Sequence, residues 1–394
     1  MTDTTRRFVL GALVLGGGGL ASNRSFAAGN DGHAAGYEAA RASDFMRTIP
    51  RKSGAPVTFT ASLDRAAIKA TSGGWAREIT TRSLPIATDM AIAHLFLNPG
   101  GSREMHWHNA AEWAYVLDGH CQVVVVDSEG KAEVTNLAPG DVWYFPKGHS
   151  HSIQTLGSDP CHAILAFDDG LYSEHGTFGI SDWLSRLEPT ILANTFDASA
   201  NTFANIPEAE TYINQGVVLA LDGPEARSVR ELDHARTHRY RLTAQKPRVH
   251  AEGGTFHLAS AREFPVSTTI TGWFMKLRPR AMHNPHWHPN ANEWHYVAKG
   301  QARITLFAAD KRLAVAELSV GEGAYIPRGC GHLVQNTGTQ ECEIIGMLDN
   351  GTYQESTLAD WVAKAPPHVL MNNLGLSEAA LAACRKKAAV IAAA

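Results

Sequence analysis

Short runs of β-branched and aromatic residues, separated by turn sequences, make up most of the chain. In the first half these runs cover Trp113–Leu117, Gln122–Val126, Glu133–Leu137 and Val142–Phe145. In the second half they cover Trp294–Val297, Ala302–Phe307, Leu313–Leu318 and Ala324–Ile326, in the same order. The intervening segments contain Asp-Gly and Pro-Gly-Asp sequences, which favour tight turns. Regular short strands joined by such turns predict a β-sandwich or barrel in each half.

Helical patterning is confined to segments that follow each β region. It covers Ser181–Leu187 and Thr357–Ala363, and a third stretch, Ser377–Ala392, at the end of the chain. The sequence therefore predicts a mainly β protein with short helices after each β domain. We place the first β domain at 57–193, a connection at 194–235 and the second β domain, with the C-terminal helices, at 236–394.

The two β domains are copies of one another. Residues 106–119 read HWHNAAEWAYVLDG, and residues 286–300 read HWHPNANEWHYVAKG. Residues 140–151 (GDVWYFPKGHSH) are likewise repeated at 321–332 (GEGAYIPRGCGH). The offset is 180 residues from His106 to His286 and 181 from Glu112 to Glu293. Such a near-constant offset indicates gene duplication followed by drift.

Composition and charge narrow the class of protein. The chain has 394 residues, with 44% hydrophobic and 19% charged residues, which is enough to build folded cores. The formal net charge of −4 argues against a nucleic-acid partner, because such proteins carry basic patches that neutralise phosphates. All apolar runs are shorter than the ~20 residues that span a bilayer, so membrane insertion is not expected. The 19 histidines direct attention to metal ligands.

The first 28 residues have the pattern of an export signal. Arg6 and Arg7 precede an uncharged, glycine-diluted run over 8–21, and small residues follow at Ala27 and Ala28. Adjacent arginines before a weakly hydrophobic run are typical of twin-arginine signals, although an ordinary secretion signal could contain them by chance. We expect a periplasmic or secreted protein with an N-terminal arm at 29–56. The five cysteines form no CxxC pair, and we interpret most of them as buried apolar residues.

Each repeat carries three histidines and one glutamate at similar spacing. In the first repeat they are His106, His108, Glu112 and His151; in the second they are His286, His288, Glu293 and His332. Side chains alternate along a strand, so His106, His108 and Glu112 are expected to share a face. The parity fails for Glu293, which predicts a bulge or turn near Pro289-Asn290. Three imidazoles and one carboxylate leave open positions on an octahedral ion and suit Mn or Fe better than structural zinc.

These motifs resemble those of the cupin superfamily. The first is Gly100-x5-His106-x-His108-x3-Glu112-x6-Gly119, and the second is Gly140-x5-Pro146-x-Gly148-x2-His151. Two copies in one chain resemble the bicupins, and the phrases REMHWH, EWAY, WYFP and HSIQ are most similar to oxalate decarboxylases. The resemblance implies a fold of two cupin barrels (double-stranded β-helix, jelly-roll) in tandem. It covers nearly all of the chain beyond the arm.

The resemblance also implies an activity. Members of this family split oxalate into formate and carbon dioxide, using Mn(2+), two ions per chain, and dioxygen as co-catalyst. By resemblance, Arg103 holds the substrate carboxylate, and Glu174, on a mobile lid, handles the proton. Association into a homo-oligomer, a trimer or hexamer, is expected on the same ground. A catalytic arginine and a lid acid are the features that favour a decarboxylase.

Several positions depart from the family pattern. The lid has His175-Gly176 where Asn and Ser are more typical, which weakens the case for a decarboxylase. The alternative is an oxalate oxidase, which yields hydrogen peroxide and carbon dioxide and is favoured if the lid is short, open or holds Glu174 away from the ion. In the second barrel His283 replaces an arginine, Arg280 replaces a glycine and Gly346 replaces an acidic residue. We therefore assign catalysis to the first barrel and a structural or assisting metal to the second. A third hypothesis, a non-catalytic storage-type bicupin or small-molecule binder, is disfavoured because all eight ligands are retained.

Overall fold

The computed structural model describes residues 58–172, 176–208, 211–232, 236–309, 312–384 and 390–393. All of them belong to one body of the chain, within Thr48–Ala394. The signal-like segment and the whole N-terminal arm predicted from the sequence lie outside these residues. Four antiparallel sheets dominate the described part, so the expectation of a mainly β fold with two barrels is confirmed.

Two sheets enclose the first barrel. One has the order β15 (Arg239–Tyr240), β9 (Val142–Phe145), β6 (Glu112–Asp118), β11 (Cys161–Phe167), β4 (Ala91–Leu97), β3 (Gly74–Ile79) and β2 (Ile68–Thr71). The other has the order β12 (Thr177–Gly179), β5 (Gly101–His108), β10 (Ser150–Leu156), β7 (His120–Val126), β8 (Ala132–Leu137) and β14 (Val229–Arg230). A further strand, β13 (Ile213–Gln215), pairs with β5.

The second barrel repeats this plan. One of its sheets has the order β1 (Thr60–Ser62), β23 (Glu322–Ile326), β20 (Glu293–Lys299), β25 (Cys342–Leu348), β18 (Thr271–Leu277), β17 (Gly254–Ala259) and β16 (Val249–Ala251). The other has the order β22 (Arg312–Ser319), β21 (Gln301–Ala308), β24 (Gly331–Asn336), β19 (Met282–Trp287) and β26 (Ser356–Thr357). The last described strand, β27 (Ile391–Ala392), pairs with β19.

All eight strand-forming runs predicted from the sequence fall inside observed strands. The reason is visible in β21, where Ala302, Ile304, Leu306 and Ala308 are buried and alternate with more exposed residues. Alternation of this kind turns one face of each strand into the barrel interior. In the first barrel the interior cluster includes Trp143, Phe145 and Phe167, which close the barrel around the metal-ligand candidates.

The helices follow the barrels, as the sequence predicts. The first barrel is followed by Ile180–Ser185 and Pro189–Phe196, and the second by Leu358–Lys364, Pro367–Leu374 and Glu378–Cys384. Pro189 and Pro367 begin helices that the sequence patterning missed, at the first helical position, where the missing N–H costs nothing. No helix in the described ranges is both long and apolar enough to cross a bilayer.

The C-terminal helix predicted over Ser377–Ala392 is confirmed over Glu378–Cys384 and wrong at Ile391–Ala392. These two residues form β27, which pairs with His283 and Met282 of β19. An alanine-rich sequence favours helix locally, but a sheet edge offers hydrogen-bond partners that override that preference.

Each barrel receives a strand from the chain segment that precedes the other barrel. Thr60–Ser62, ahead of the first barrel, pairs with β23 of the second. Arg239–Tyr240, ahead of the second barrel, pairs with β9 of the first. The predicted domains 57–193 and 236–394 follow the order of the chain. They therefore place Thr60–Ser62 in the first barrel and Arg239–Tyr240 in the second, although each strand pairs with the other barrel.

Large aromatic residues pack the two barrels against each other. A Cβ on Gly272 of the second barrel would overlap the indole of Trp113 of the first. This glycine therefore allows the two barrels to approach each other closely. Tyr115 stacks on Phe274 with ring centroids 5.6 Å apart, and Tyr296 meets His94 edge-on at 5.2 Å. The repeat offset relates these two pairs, so the interface itself is approximately two-fold.

Candidate metal centres and active site

Strands β5 and β10 bring three histidines together inside the first barrel. His106 and His108 are buried on β5, whereas Met105 and Trp107, between and beside them, point outward. His151 on β10 lies directly opposite His106 in the antiparallel register. The centroids of the His151 ring and the His106 ring are 4.2 Å apart. Alternation along one strand and register across the next therefore place three imidazoles on one interior face.

Glu112 joins this set from the opposite sheet. The sequence argument placed it on the strand of His108, but the chain leaves β5 at His108 and Glu112 begins β6. That argument was wrong, because the parity of a strand does not extend through the turn at 109–111. The Glu112 carboxylate lies 3.3 Å from Nε2 of His108 and 3.7 Å from Nε2 of His151.

Every histidine of the set is oriented by a backbone carbonyl. Nδ1 of His106 lies 2.7 Å from the carbonyl oxygen of Glu104, Nδ1 of His108 lies 2.7 Å from that of Ala110, and Nδ1 of His151 lies 2.9 Å from that of His149. A carbonyl can only accept, so each Nδ1 carries the proton and each Nε2 presents a lone pair to the interior. Metal-binding histidines are held in this way by a second hydrogen bond.

Burial and neighbouring charges shift the pKa values of these side chains towards the protonation states that bind metal. Burial, then the Arg103 guanidinium, holds the pKa of His106 well below its usual range. Burial also lowers the pKa of His151. Burial alone would raise the pKa of Glu112, but the adjacent His108 and His151 lower it below its ordinary value. Neutral imidazoles and an ionised carboxylate are the forms that ligate a cation.

The second barrel holds the corresponding set. Nδ1 of His286 lies 2.7 Å from the carbonyl of Asn284, and Nδ1 of His332 lies 3.1 Å from that of Cys330. Oε2 of Glu293 is 3.3 Å from Nε2 of His288 and 3.1 Å from Nε2 of His332. The bend at residues 289–290, between β19 and β20, is the turn predicted from the broken parity. In both barrels the four donor atoms lie within 4.8 Å of one another.

A tryptophan holds each ligand carboxylate, but from opposite ends of the sheet. Nε1 of Trp143 on β9 donates to Glu112 at 2.8 Å, whereas Nε1 of Trp273 on β18 donates to Glu293 at 2.7 Å. Residues paired across neighbouring strands form an equivalent row of four in each barrel. In the first barrel the row is Trp143, Ala114, Leu165 and Ala93. In the second barrel it is Ala324, His295, Gly346 and Trp273. The indole has therefore moved from one end of the row to the other.

Gly346 is explained by this exchange. A Cβ at residue 346 would overlap the Trp273 indole, so only glycine lets that ring lie across β25 and reach Glu293. The space of a larger side chain at residue 346 is taken by the tryptophan ring. His295, the centre of the row, is fully buried with Nε2 2.8 Å from Oε2 of Glu293.

Arg103 lies beside the first ligand set and is 4% exposed. Nη1 donates to the carbonyl of Tyr212 at 3.1 Å, and the guanidinium lies over the Tyr212 ring, 4.4 Å from its centroid. Its neighbour Glu104 is 3.8 Å away and accepts hydrogen bonds from Ser181 and Thr211. A buried guanidinium fixed in this way presents a permanent positive charge to the interior.

Tyr212 is a site residue that the sequence analysis missed. It lies in the connection between the barrels, directly before β13, and its backbone has a φ of +42°. A non-glycine residue in the left-handed region is strained and persists only where its surroundings fix it. Here the Tyr212 carbonyl accepts from Arg103 and from the backbone N–H of Glu104. Sequence alone carries no signal for this contact, because more than 100 positions separate the two residues.

A small cavity connects Arg103 to the ligand set. It measures about 20 Å³, and its lining includes Arg103, His106, Glu112, Tyr172 and Tyr212. That volume accommodates roughly one water molecule in this arrangement of the side chains. Glu174 lies outside the described residues, in the gap that follows Tyr172.

In the second barrel, His283 occupies the place of Arg103 and is buried. The ring centroid of His283 is 4.0 Å from that of His286. Arg280, at the position of Gly100, keeps the left-handed backbone of that glycine, with a φ of +65° against +76°. The backbone turn is therefore retained with Arg280 in place of glycine. At the position equivalent to Arg103, however, an imidazole has replaced the guanidinium.

The sequence matches known proteins over most of its length. The Cupin family matches twice, over residues 62–203 and 240–381. Oxalate decarboxylase OxdC of Bacillus subtilis is 36% identical over 312 residues, covering 78% of this chain and 79% of that protein. A probable oxalate decarboxylase of Arthroderma benhamiae is 33% identical over 304 residues, covering 75% and 74% of the two chains.

Solved structures agree with the sequence matches. A variant of the Bacillus subtilis OxdC enzyme superposes with a TM-score of 0.81 and 32% identity over 86% of this chain and 90% of that chain. Another OxdC structure, described through the Mn(II) centres of that enzyme, superposes with a TM-score of 0.79 at the same identity. Two Cupin domains and this similarity along both barrels lead to one conclusion. The chain belongs to the bicupin oxalate decarboxylase family, a group of carbon–carbon lyases within the cupin superfamily.

Proposed function

We propose that this protein decarboxylates oxalate to formate and carbon dioxide at the first metal centre. The observation that carries the proposal is the buried Arg103 guanidinium, which shares a small cavity with His106 and Glu112. A fixed positive charge beside a metal-ligand set is suited to a small dianion. The family relationship supports the same substrate.

Manganese is the proposed metal, two ions per chain. Four donors in each barrel converge on one point, and Nε2 of His151, His286, His288 and His332 is buried without a hydrogen-bond partner in the part of the chain that the structure describes. Such atoms are costly to bury unless a ligand completes them. A mixed imidazole and carboxylate set that leaves open positions fits Mn(2+). When bound, the metal would act as a Lewis acid and one-electron partner for the substrate, with dioxygen as the proposed co-catalyst.

Arg103 would bind and orient the substrate. Its guanidinium can pair with one carboxylate, and the contacts with Tyr212 hold the planar group in place before the substrate arrives. Preorganised charge of this kind stabilises the negative charge that develops on the carbons as their bond breaks.

Glu174 is the proposed acid. Cleavage of the carbon–carbon bond releases carbon dioxide, and the carbon that remains must receive one proton to become formate. A carboxylic acid on the segment after Tyr172 could supply that proton and exclude water. His175 and Gly176 follow it directly, so a change in how this segment delivers the proton would shift the outcome from decarboxylation towards oxidation.

Product stoichiometry tests the proposal. Purified protein expressed with manganese is mixed with oxalate at mildly acid pH in air, and formate and hydrogen peroxide are counted per oxalate consumed. Close to one formate per oxalate is expected, with turnover lost when dioxygen is removed. Peroxide with little formate would make the protein an oxalate oxidase, and neither product from metal-loaded protein would overturn both. Glu174→Gln should lower formate production while Arg103 still binds the substrate.

We further propose that the protein is exported and assembles with copies of itself. Export rests on the Arg6-Arg7 signal pattern, and its test is periplasmic fractionation of wild type against an Arg6→Lys/Arg7→Lys variant. Self-association is supported by Trp183 and Trp361, which are 56% and 66% exposed on equivalent helices. Light scattering should give a trimer or hexamer; a monomer would contradict this.

A further inference from the structure

The second barrel differs from the first at the two positions that would handle substrate. His283 stands at the equivalent of Arg103, and Glu355 stands at the equivalent of Glu174, with the repeat offsets of 180 and 181 residues. Both second-barrel residues lie within the described ranges. A guanidinium cannot ligate a metal, whereas an imidazole can. The substitution therefore converts an anion-binding position into one with a metal donor.

His283, His286 and Glu355 form a compact donor set. One donor atom from each lies within 4.8 Å of the other two. Nε2 of His283 is 3.5 Å from the Glu355 carboxylate. His283 is only 2% exposed, and neither of its ring nitrogens makes a hydrogen bond within the described ranges. A buried imidazole without such partners is unfavourable unless a ligand engages it.

Glu355 is held in place for this role. The Tyr353 hydroxyl donates a hydrogen bond to its carboxylate, and Arg248 lies over the Tyr353 ring at 5.3 Å. The carboxylate faces Nε2 of His283 at 3.5 Å, so the tyrosine contact keeps it directed towards the other two donors.

The new set overlaps the four-ligand set at one atom. Nδ1 of His286 is engaged by the Asn284 carbonyl, so only Nε2 is available to a cation. The same atom belongs to the set with His288, Glu293 and His332. One lone pair binds one metal ion, so the two positions exclude each other. The second barrel consequently offers a single cation two alternative positions.

We propose that His283, His286 and Glu355 are a second cation position in this barrel, selective for divalent ions that prefer imidazole, such as Zn2+. Two imidazoles and one carboxylate form a three-ligand site of the type zinc accepts, with room for water as a fourth ligand. Mn2+ binds a given set of nitrogen and oxygen donors more weakly than Zn2+ does and favours octahedral coordination, so it gains little from three donors. This inference concerns metal binding and does not depend on oxalate turnover.

The test weakens the four-ligand position by removing a ligand that belongs only to that set. The full chain carrying His332→Gln is freed of metal, dialysed against Zn2+ alone or Mn2+ alone, and analysed for metal per chain. We expect two Zn2+, one in each barrel, and one Mn2+. Adding His283→Arg or Glu355→Gln should reduce zinc to one per chain, whereas the exposed His250→Arg should leave two. Zinc that stays at two after His283→Arg would overturn the proposal.

A second measurement locates the ion. Crystals of the His332→Gln chain soaked in Zn2+ should give an anomalous peak about 2.0–2.2 Å from His283, His286 and Glu355. A peak bound by His288 and Glu293 instead would overturn the proposal. If His332→Gln does not fold, His288→Gln serves as the background, since it also spares the new set. The first-barrel ion, present in every variant, reports that the chain is folded.

Discussion

At the scale of single residues, the two centres keep their ligands and change their supports. Glu112 and Glu293 are equivalent, yet Trp143 holds the first and Trp273 holds the second, from opposite ends of the sheet. The exchange required Gly346, because the Trp273 indole occupies the space of its side chain. A ligand carboxylate that lacks a fixed hydrogen bond can rotate away from the metal. This explains why each of the two ligand glutamates accepts a hydrogen bond from an indole.

Gly346→Ala should therefore damage the second centre. The added methyl group would displace Trp273 and break its hydrogen bond to Glu293, which costs about 1–3 kcal/mol in a packed interior. We expect a lower free energy of unfolding in urea and a loss of metal from the second barrel alone. Gly331→Ala, where a Cβ would meet Phe307 at an ordinary 3.6 Å, is the matched control. Equal stability of the two variants would show that the Trp273 position is not constrained by Gly346.

Arg103 offers a sharper test of which barrel turns over substrate. Arg103→Ala should lower kcat/KM for oxalate by roughly 10²–10³, the usual cost of removing a preorganised charge partner. Manganese content should not change, because Arg103 is not a ligand, and Arg103→Lys should recover little because the planar fork is lost. The assignment fails if Arg103→Ala leaves turnover intact while His283→Ala abolishes it.

At the scale of elements, the connection between the barrels is part of the first centre. Strand β13 pairs with β5, placing Ile213 opposite Arg103 and Tyr212 against the guanidinium. The connection is thus more than a linker. A sheet-edge strand of three residues has few hydrogen bonds of its own, so its position depends on close packing against neighbouring backbone.

Gly73 provides that close packing. A Cβ at this position would overlap the Asn214 carbonyl, so Gly73→Ala should push β13 away from β5. We expect kcat/KM for oxalate to fall by about tenfold or more, as a small misplacement of a substrate-orienting group does. Metal content should be retained. Gly216→Ala, in the same connection and with only a 3.4 Å contact, should behave as wild type. Loss of metal together with activity would mean that the whole barrel, rather than Arg103, has been disturbed.

At the scale of the whole molecule, the interface between the barrels has a histidine on one side where the equivalent position on the other side has a phenylalanine. His94 meets Tyr296, and its repeat equivalent Phe274 meets Tyr115. Burial, then the neighbouring His162 and Arg77, lowers the pKa of His94 to about 3. Both ring nitrogens of His94 are buried without a hydrogen-bond partner in the described part of the chain. The interface therefore contains a neutral imidazole, and protonation of His94 is unfavourable in the folded chain.

Stability should consequently decline in acid. Between pH 6.5 and about 3 the unfolded chain binds a proton at His94 that the folded chain does not. The free energy of unfolding then falls as pH falls, by about 1.4 kcal/mol per pH unit for this one group. His94→Phe, which copies the residue of the second barrel, should remove that contribution. Urea unfolding of the metal-free chains at pH 7, 6 and 5 measures it, with exposed His250→Phe as control; parallel curves for wild type and His94→Phe would contradict the assignment.

Much of the fold and the composition of both ligand sets could be read from the sequence. Strand periodicity and turn residues are local signals, and all eight predicted strand runs lie within observed strands. Duplication made the eight ligand candidates recognisable, because a spacing that occurs twice is hard to attribute to chance. The four buried cysteines, Cys121, Cys161, Cys330 and Cys342, also fit the interpretation from sequence.

Tertiary structure decided what surrounds those ligands. Tyr212 beside Arg103, the exchanged indoles, the strands given to the opposite barrel and the His283–His286–Glu355 set all join positions far apart in the chain. Which residues meet across a sheet depends on strand order and register, and these are fixed by the packing of the whole barrel rather than by any local run. The sequence by itself therefore determined the ligand types and the repeated fold, while the contacts that tune each centre arose only when the barrels closed and packed together.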